Sequence, residues 1–257
     1  MRRWHVAVPV ALLVVILLTS LAAAQRGGGR GFGGLGGPRF GANPPYDGRF
    51  TFTRIRFASF GFGRGGGGWW SHDYPEADRN LPLILQALTA IPTNVEAGNI
   101  LDLEDPEIFR NPILYIWEPG YWRITDEAAT NLRAYMLKGG LVIFDDFEAG
   151  QWVNFEQQFR QAMPEAEFMP LDLSHPVYHA FFDMESLNLP HPSVNVTPGF
   201  YGVHLDNDPA KRLMAIVNHN SDIAEYWEWS GTGMLPVDTT NDAYKLGVNY
   251  MIYGLTR

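Results

Sequence analysis

Residues 112–150 read PILYIWEPGYWRITDEAATNLRAYMLKGGLVIFDDFEAG, and the order of signals in that stretch decides the fold. ILYIW and LVIFDD begin as short, nearly continuous apolar runs, the pattern of parallel strands covered on both faces. Between them lies a well-marked helix. Thr125 can cap it, Asp126 and Glu127 suit its positive end, and Lys138 followed by Gly139 and Gly140 suits its stop. Ala128, Leu132 and Met136 form one apolar stripe at helical spacing, which predicts a face packed on a sheet. Strand, helix and strand then make a βαβ crossover. Asp145 and Asp146 fall at the carboxyl end of a central strand, where open α/β sheets bind their ligands.

The rest of the chain extends this pattern. FTFTRIRF, from Phe50, alternates as a first strand. A glycine-rich loop, GFGRGGGGWWSHDYPEADRN, leads into LPLILQALTAI, read as a helix. The loop has neither the Lys-Ser/Thr ending of a Walker A phosphate loop nor G-x-G-x-x-G opening a helix, so nucleotide binding has no motif behind it. VEAGNILDLED predicts a short strand, NFEQQFRQAM a helix, LMAIVNHN a late strand and DAYKLGVNYMIY a closing helix. EAEFMPLDLSHPVYHAFFDM reads as a connection.

The amino-terminal residues MRRWHVAVPVALLVVILLTSLAAAQ have basic, apolar and small-residue zones in the order of a secretory signal peptide, with an uncleaved membrane anchor as the alternative. Arg26 to Pro45 is dense in glycine and reads as a flexible tether rather than an RGG-like nucleic-acid arm. The expected organisation is therefore a signal peptide over 1–24, a linker over 25–48 and one α/β domain over 49–257. The chain has no cysteine and a formal net charge of −9. Disulfides and thiol nucleophiles are excluded, and nucleic acid is an unsuited partner for an acidic domain. Membrane contact is expected only through the amino-terminal segment.

The segments FTFTRIRF, DLEDPEIFRNPILYIWEPGYWRIT, LRAYMLKGGLVIFDDFE, FEQQFRQAMPEAEFMPLDLSHPVYHAFF, NSDIAEYWE and AYKLGVNYMIYGLT together resemble the bacterial DUF4159 family. The resemblance runs from Phe50 to the carboxyl terminus. It implies a three-layer, flavodoxin-like fold similar to the class I glutamine amidotransferase-like group, a mostly parallel sheet with helices on both faces. It implies no established activity. Amidotransferase-like enzymes carry a cysteine nucleophile after a strand, which this chain cannot supply. No serine context matches the G-x-S-x-G elbow either.

Several polar residues remain as candidates for a cleft. Asp145 and Asp146, with Glu148 behind them, offer hard oxygen ligands for a divalent cation if the strand has broken into a loop by that point; in a regular strand they would face opposite sides. His175 precedes Pro176 and has Asp172 and Ser174 nearby; the spacing to His179 superficially matches a zinc pair, but Pro176 disfavours the helix that such a pair needs. Asn218, Ser221 and Asp222 end another strand. Glu118 and Asp146 end neighbouring strands, as a glycosidase pair would. Trp69, Trp70, Trp122 and Trp229 stand in loop-like contexts suited to stacking on sugar rings. No cofactor is called for beyond a divalent metal.

These features describe an exported protein of the cell envelope, periplasmic or extracellular, with an envelope protein or glycan as partner. Its expected role is a non-catalytic binding or assembly module. The alternative is a metal- or carboxylate-dependent hydrolase of a glycan or related polymer, working through Glu118, Asp145, Asp146 and His175. Convergence of those side chains favours the second reading, and divergence around an exposed aromatic patch favours the first.

Overall fold

A computed structural model describes residues 40–59 and 68–257. The signal-peptide expectation, the linker up to residue 39 and residues 60–67 of the glycine-rich loop lie outside the described residues. Among the described residues, no helix is long and apolar enough to cross a membrane.

The chain forms β1 (Thr53–Arg56), β2 (Ala58–Ser59), α1 (Glu76–Leu88), β3 (Asn99–Asp102), β4 (Ile113–Trp117) and β5 (Trp122–Arg123). Then follow α2 (Asp126–Leu137), β6 (Leu141–Phe147), α3 (Gln151–Ala162), β7 (Met169–Pro170), β8 (Gly199–His204), β9 (Leu213–His219), α4 (Ile223–Glu228) and α5 (Val237–Thr256). Seven strands pair in the order β3-β1-β4-β6-β9-β8-β7, while β2 and β5 make a small antiparallel ribbon. β3, β1, β4, β6 and β9 are parallel, and β8 and β7 add an antiparallel edge. The expected βαβ unit is present: Ile113 to Trp117 pair in register with Leu141 to Asp145, and Thr125 caps α2 by accepting from the Ala128 N–H at 3.1 Å.

Strand alternation divides the apolar residues between two cores. Tyr115, Trp117 and Ile143 face one way, against Leu81 and Leu85 of α1, Trp227 of α4 and Leu246 and Tyr250 of α5. Leu114, Ile116, Val142 and Phe144 face the other, against Leu132 and Met136 of α2 and Phe155 and Phe159 of α3. Helices thus cover both faces, which explains the unbroken apolar runs of β4 and β6. All five parallel strands end at one edge, and the site lies there.

Three features depart from the sequence reading. α1 begins at Glu76 rather than Leu81 and includes Pro82, because Ala77, Leu81 and Leu85 bury together and outweigh one lost backbone donor. β7 arises inside the stretch read as a connection, and β8 follows in a stretch with no periodic signal. Within residues 40–48, read as the end of a flexible linker, Asn43 docks on edge strand β3: its amide donates to the Ile100 carbonyl at 2.9 Å and accepts from its N–H at 2.8 Å. That pairing covers backbone groups which an edge strand otherwise leaves open.

Candidate functional site

The site begins with a buried arginine. Arg54 in β1 donates from Nε and Nη2 to Asp78 of α1 at 3.1 and 2.6 Å, and from Nη1 to the carbonyls of Trp70 and His72 at 2.8 and 2.7 Å. Its guanidinium also lies 3.4 Å from the ring centre of Trp117. A planar donor fork can satisfy these acceptors at once, so one side chain fixes the turn at 69–72 against the sheet. His72 and Asp73 follow that turn at the carboxyl edge of the strands.

β6 supplies the next group. Its register with β9 shifts between Phe144 and Phe147, and Asp146 has φ 61°. In a regular strand Phe147 would share a face with Ile143, yet it packs in the core of Phe144; this is the mark of a bulge. The bulge separates the two aspartates. Asp145 turns inward, accepting from Tyr115 Oη at 2.5 Å, Asn218 Nδ2 at 3.1 Å and the N–H groups of Ile223 and Ala224 at 3.1 and 3.2 Å. Asp146 turns into a cavity of about 210 Å³.

That cavity is lined by Trp69, His72, Glu118, Tyr121, Asp146, Glu148, Gln151, His191, Asp222 and Glu225, among others. His72 Nδ1 lies 2.5 Å from Asp146 Oδ2, 3.5 Å from Asp73 Oδ1 and 4.0 Å from Glu118 Oε1. His191 Nε2 lies 3.5 Å from Asp146 Oδ1 and 4.0 Å from Glu148 Oε2. His191 Nδ1 accepts from the Ser193 N–H, so Nε2 carries the proton directed at Asp146. Asp73, Glu118 and Asp146 all have left-handed φ, 60°, 46° and 61°. Three non-glycine residues in that region, at about 1–3 kcal/mol each, cluster where a site over-determines its geometry. Gly120 is also required here, since a Cβ would stand 2.5 Å from Cβ of Gln151, whose amide bonds Glu148 and Tyr121.

The charges do not balance. Asp73, Glu118, Asp146 and Asp222 are buried, and Glu148 and Glu225 are half-buried, against two imidazoles. Burial lowers the His72 pKa, but the Asp146 hydrogen bond and the charges of Asp73, Asp146 and Glu118 outweigh it and hold the imidazolium to about 10. Burial, with Asp146 adding to it, pushes Glu118 up to about 9. Burial raises Asp73 and Asp222 as well. Against the same burial, the two histidines keep Asp146 below the usual carboxylate range. Asp73 Oδ2 accepts from Trp117 Nε1 at 2.9 Å, whereas Oδ1 is buried without a hydrogen-bond partner.

Donor atoms of His72, Glu118 and Asp146 lie within 4.8 Å of one another, as do those of His72, Asp73, Asp222 and Glu225, and those of Asp146, His191 and Asp222. Mixed imidazole and carboxylate sets of this span can hold a divalent cation. Glu118 and Asp146 offer oxygens within 4.8 Å of each other, close enough to share an ion or a proton.

Of the residues singled out in the sequence, Glu118, Asp146, Glu148, Asp222 and Trp69 line the cavity. Asp145 and Asn218 lie beneath it, with Asn218 also accepting from Tyr250 Oη at 2.9 Å. Ser221 Oγ donates to the Leu189 carbonyl and so braces the segment that carries His191. His175 is elsewhere. Its Nε2 is 3.3 Å from Nε2 of His204, which pairs with Leu213 at the start of β9, so it stands at the opposite edge of the sheet. His179 turns instead to Asp183 and the Leu173 carbonyl, and the two do not form a metal pair. Trp70 and Trp122, read as loop tryptophans, are buried in packing and cannot stack on a sugar; Trp229 is half-buried just past α4. Trp69 stacks on Tyr121 with ring centres 4.0 Å apart and planes within 10°.

Sequence reasoning missed His72, Asp73, Glu225 and His191. His72 and Asp73 stand directly behind a glycine-rich loop, and His191 between Pro190 and Pro192, in segments without periodicity.

No curated protein matches the chain at a significant level. The model of a domain of unknown function, DUF4159, matches residues 51–255, nearly the whole of the described domain, and the chain belongs to that family.

Proposed function

We propose that this protein is a divalent-cation-dependent hydrolase, with the cation held among His72, Glu118 and Asp146. The observation that carries this reading is the convergence of those groups beside Asp73, whose buried Oδ1 has no hydrogen-bond partner. Buried carboxylates cost several kcal/mol each unless they are paired or protonated, and a dication offsets that cost directly. A bound cation lowers the pKa of its water toward neutrality. Beside such a cation a neighbouring carboxylate would take the proton of the attacking water and return it to the leaving group.

The order of the parallel strands, second-first-third-fourth-fifth along the chain, supports a flavodoxin-like assignment, and the cavity's place at their carboxyl edge agrees with ligand binding in such sheets. The layout of residues 1–24 supports export to the envelope. A glycan or related envelope polymer suits the rim, where Trp69 and Tyr121 stack.

That same aromatic pair favours the second reading, a non-catalytic glycan-binding or assembly module. A panel of envelope glycans and acylated or phosphorylated derivatives, assayed for cleavage with Mn²⁺ and with chelator, separates the two. Cation-dependent cleavage lost in Asp146→Asn supports the hydrolase; glycan binding unaffected by chelator, without cleavage, supports the module.

A further inference from the structure

The donor atoms around the cavity extend beyond the coordination shell of one ion. His72 belongs to two of the three groups that share a 4.8 Å span, Asp146 to two and Asp222 to two, but no residue belongs to all three. Ligands of a single cation bound at about 2.0–2.4 Å lie no farther apart than about twice that distance. Glu118 and Glu225 share no group. Charge points the same way, because the five carboxylates Asp73, Glu118, Asp146, Asp222 and Glu225 leave one dication well short.

We propose that the cavity holds two adjacent divalent cations, one bound by His72, Glu118 and Asp146 and the other by the oxygen-only set Asp73, Asp222 and Glu225. This rests on the cation reading of the same cavity. His191 is not a ligand: its Nδ1 accepts from the Ser193 N–H, which leaves Nε2–H to steady Asp146 Oδ1. Asp73, which is not among the ligands of the first ion, marks the second subsite. Its side chain is buried, Oδ2 is engaged by Trp117 Nε1, and Oδ1 faces His72 Nδ1 at 3.5 Å with no hydrogen bond. The subsites differ in chemistry. The first, with one imidazole, suits Mn²⁺ or Zn²⁺, and the second, with oxygens alone, suits Mn²⁺, Mg²⁺ or Ca²⁺. Two ions about 3.5–4 Å apart would clamp the attacking and leaving oxygens of a displacement at a phosphoryl or acyl centre, which narrows the substrate to an ester-like linkage.

The test is a titration of the full chain with Mn²⁺ alone, followed by calorimetry and electron paramagnetic resonance. The expected result is two Mn²⁺ per chain with an exchange-coupled spectrum, and Glu225→Gln reduces this to one ion with an uncoupled six-line signal. One ion in the wild type, with no coupling, overturns the two-ion inference and leaves the single-cation reading standing. No binding at all overturns both. Circular dichroism of Glu225→Gln checks that the variant is folded, and Glu118→Gln, which removes a ligand of the other subsite, gives the reciprocal loss.

Discussion

The guanidinium of Arg54 donates to the carbonyl oxygen of His72 at 2.7 Å, so a buried strand residue sets the position of the cavity's central imidazole. The same side chain pairs with Asp78 where neither is exposed. Removing one partner of a buried pair leaves the other charge uncompensated. Arg54→Met is expected to cost about 3–5 kcal/mol in urea unfolding. Arg54→Lys retains the charge but cannot satisfy the fork, and is expected to fold while losing most of the cation-dependent rise in Tm.

Adjacent aspartates have separate tasks. Asp145 accepts four hydrogen bonds and anchors the start of α4. Asp145→Asn places an amide NH₂ among those donors and is expected to destabilise by about 1–3 kcal/mol while leaving a cation-dependent Tm shift in place. Asp146→Asn has the opposite profile: asparagine tolerates left-handed φ, so the bulge is kept, and the cation shift disappears. Thermal melts of both variants with and without Mn²⁺ decide this. Equal loss of the shift in both would deny the division.

Asn43 covers edge strand β3 through two hydrogen bonds to Ile100. Asn43→Ala is expected to cost about 1 kcal/mol, with faster hydrogen exchange at the Ile100 amide. Unchanged exchange would show that Asn43 does not protect that edge.

The far edge of the sheet is expected to respond to acid. Burial, aided by the charge of His204, lowers His175 to about 4, with Asp172 opposing; burial also lowers His204, with Asp208 opposing. Both folded values lie below that of the unfolded chain, so the unfolded state binds more protons as pH falls through about 6.5. Stability from this pair is present above that pH and is lost progressively toward about 4. Partial exposure limits the effect to roughly 1 kcal/mol, or about 2–4 °C in Tm. His175→Asn should flatten the Tm–pH slope between 6.5 and 4 relative to wild type. An unchanged slope would assign the acid response to the carboxylates.

The parallel core was legible because β4, α2 and β6 each announce themselves by pattern, cap and stop. Glu118, Asp146 and Asp222 were legible for the same reason: each stands at a strand end, and strand ends of parallel sheets meet at one edge. The parting of Asp145 from Asp146 was not, since a bulge depends on pairing with β9 rather than on local sequence. His72 and His191 come from irregular segments placed by Arg54, Ser221 and Tyr226, whose hydrogen bonds span long separations in the chain. Trp122 reads as a loop residue by its neighbours, yet β5 folds it against Phe144 and Phe155.

Anomalous diffraction from crystals grown in Mn²⁺ tests the cation reading most directly. The expected result is a strong manganese peak within coordination distance of His72, Glu118 and Asp146, absent from crystals of Asp146→Asn. Well-ordered density for those side chains in their direct His72–Asp146 hydrogen bond, with no manganese peak between them at millimolar Mn²⁺, would contradict it.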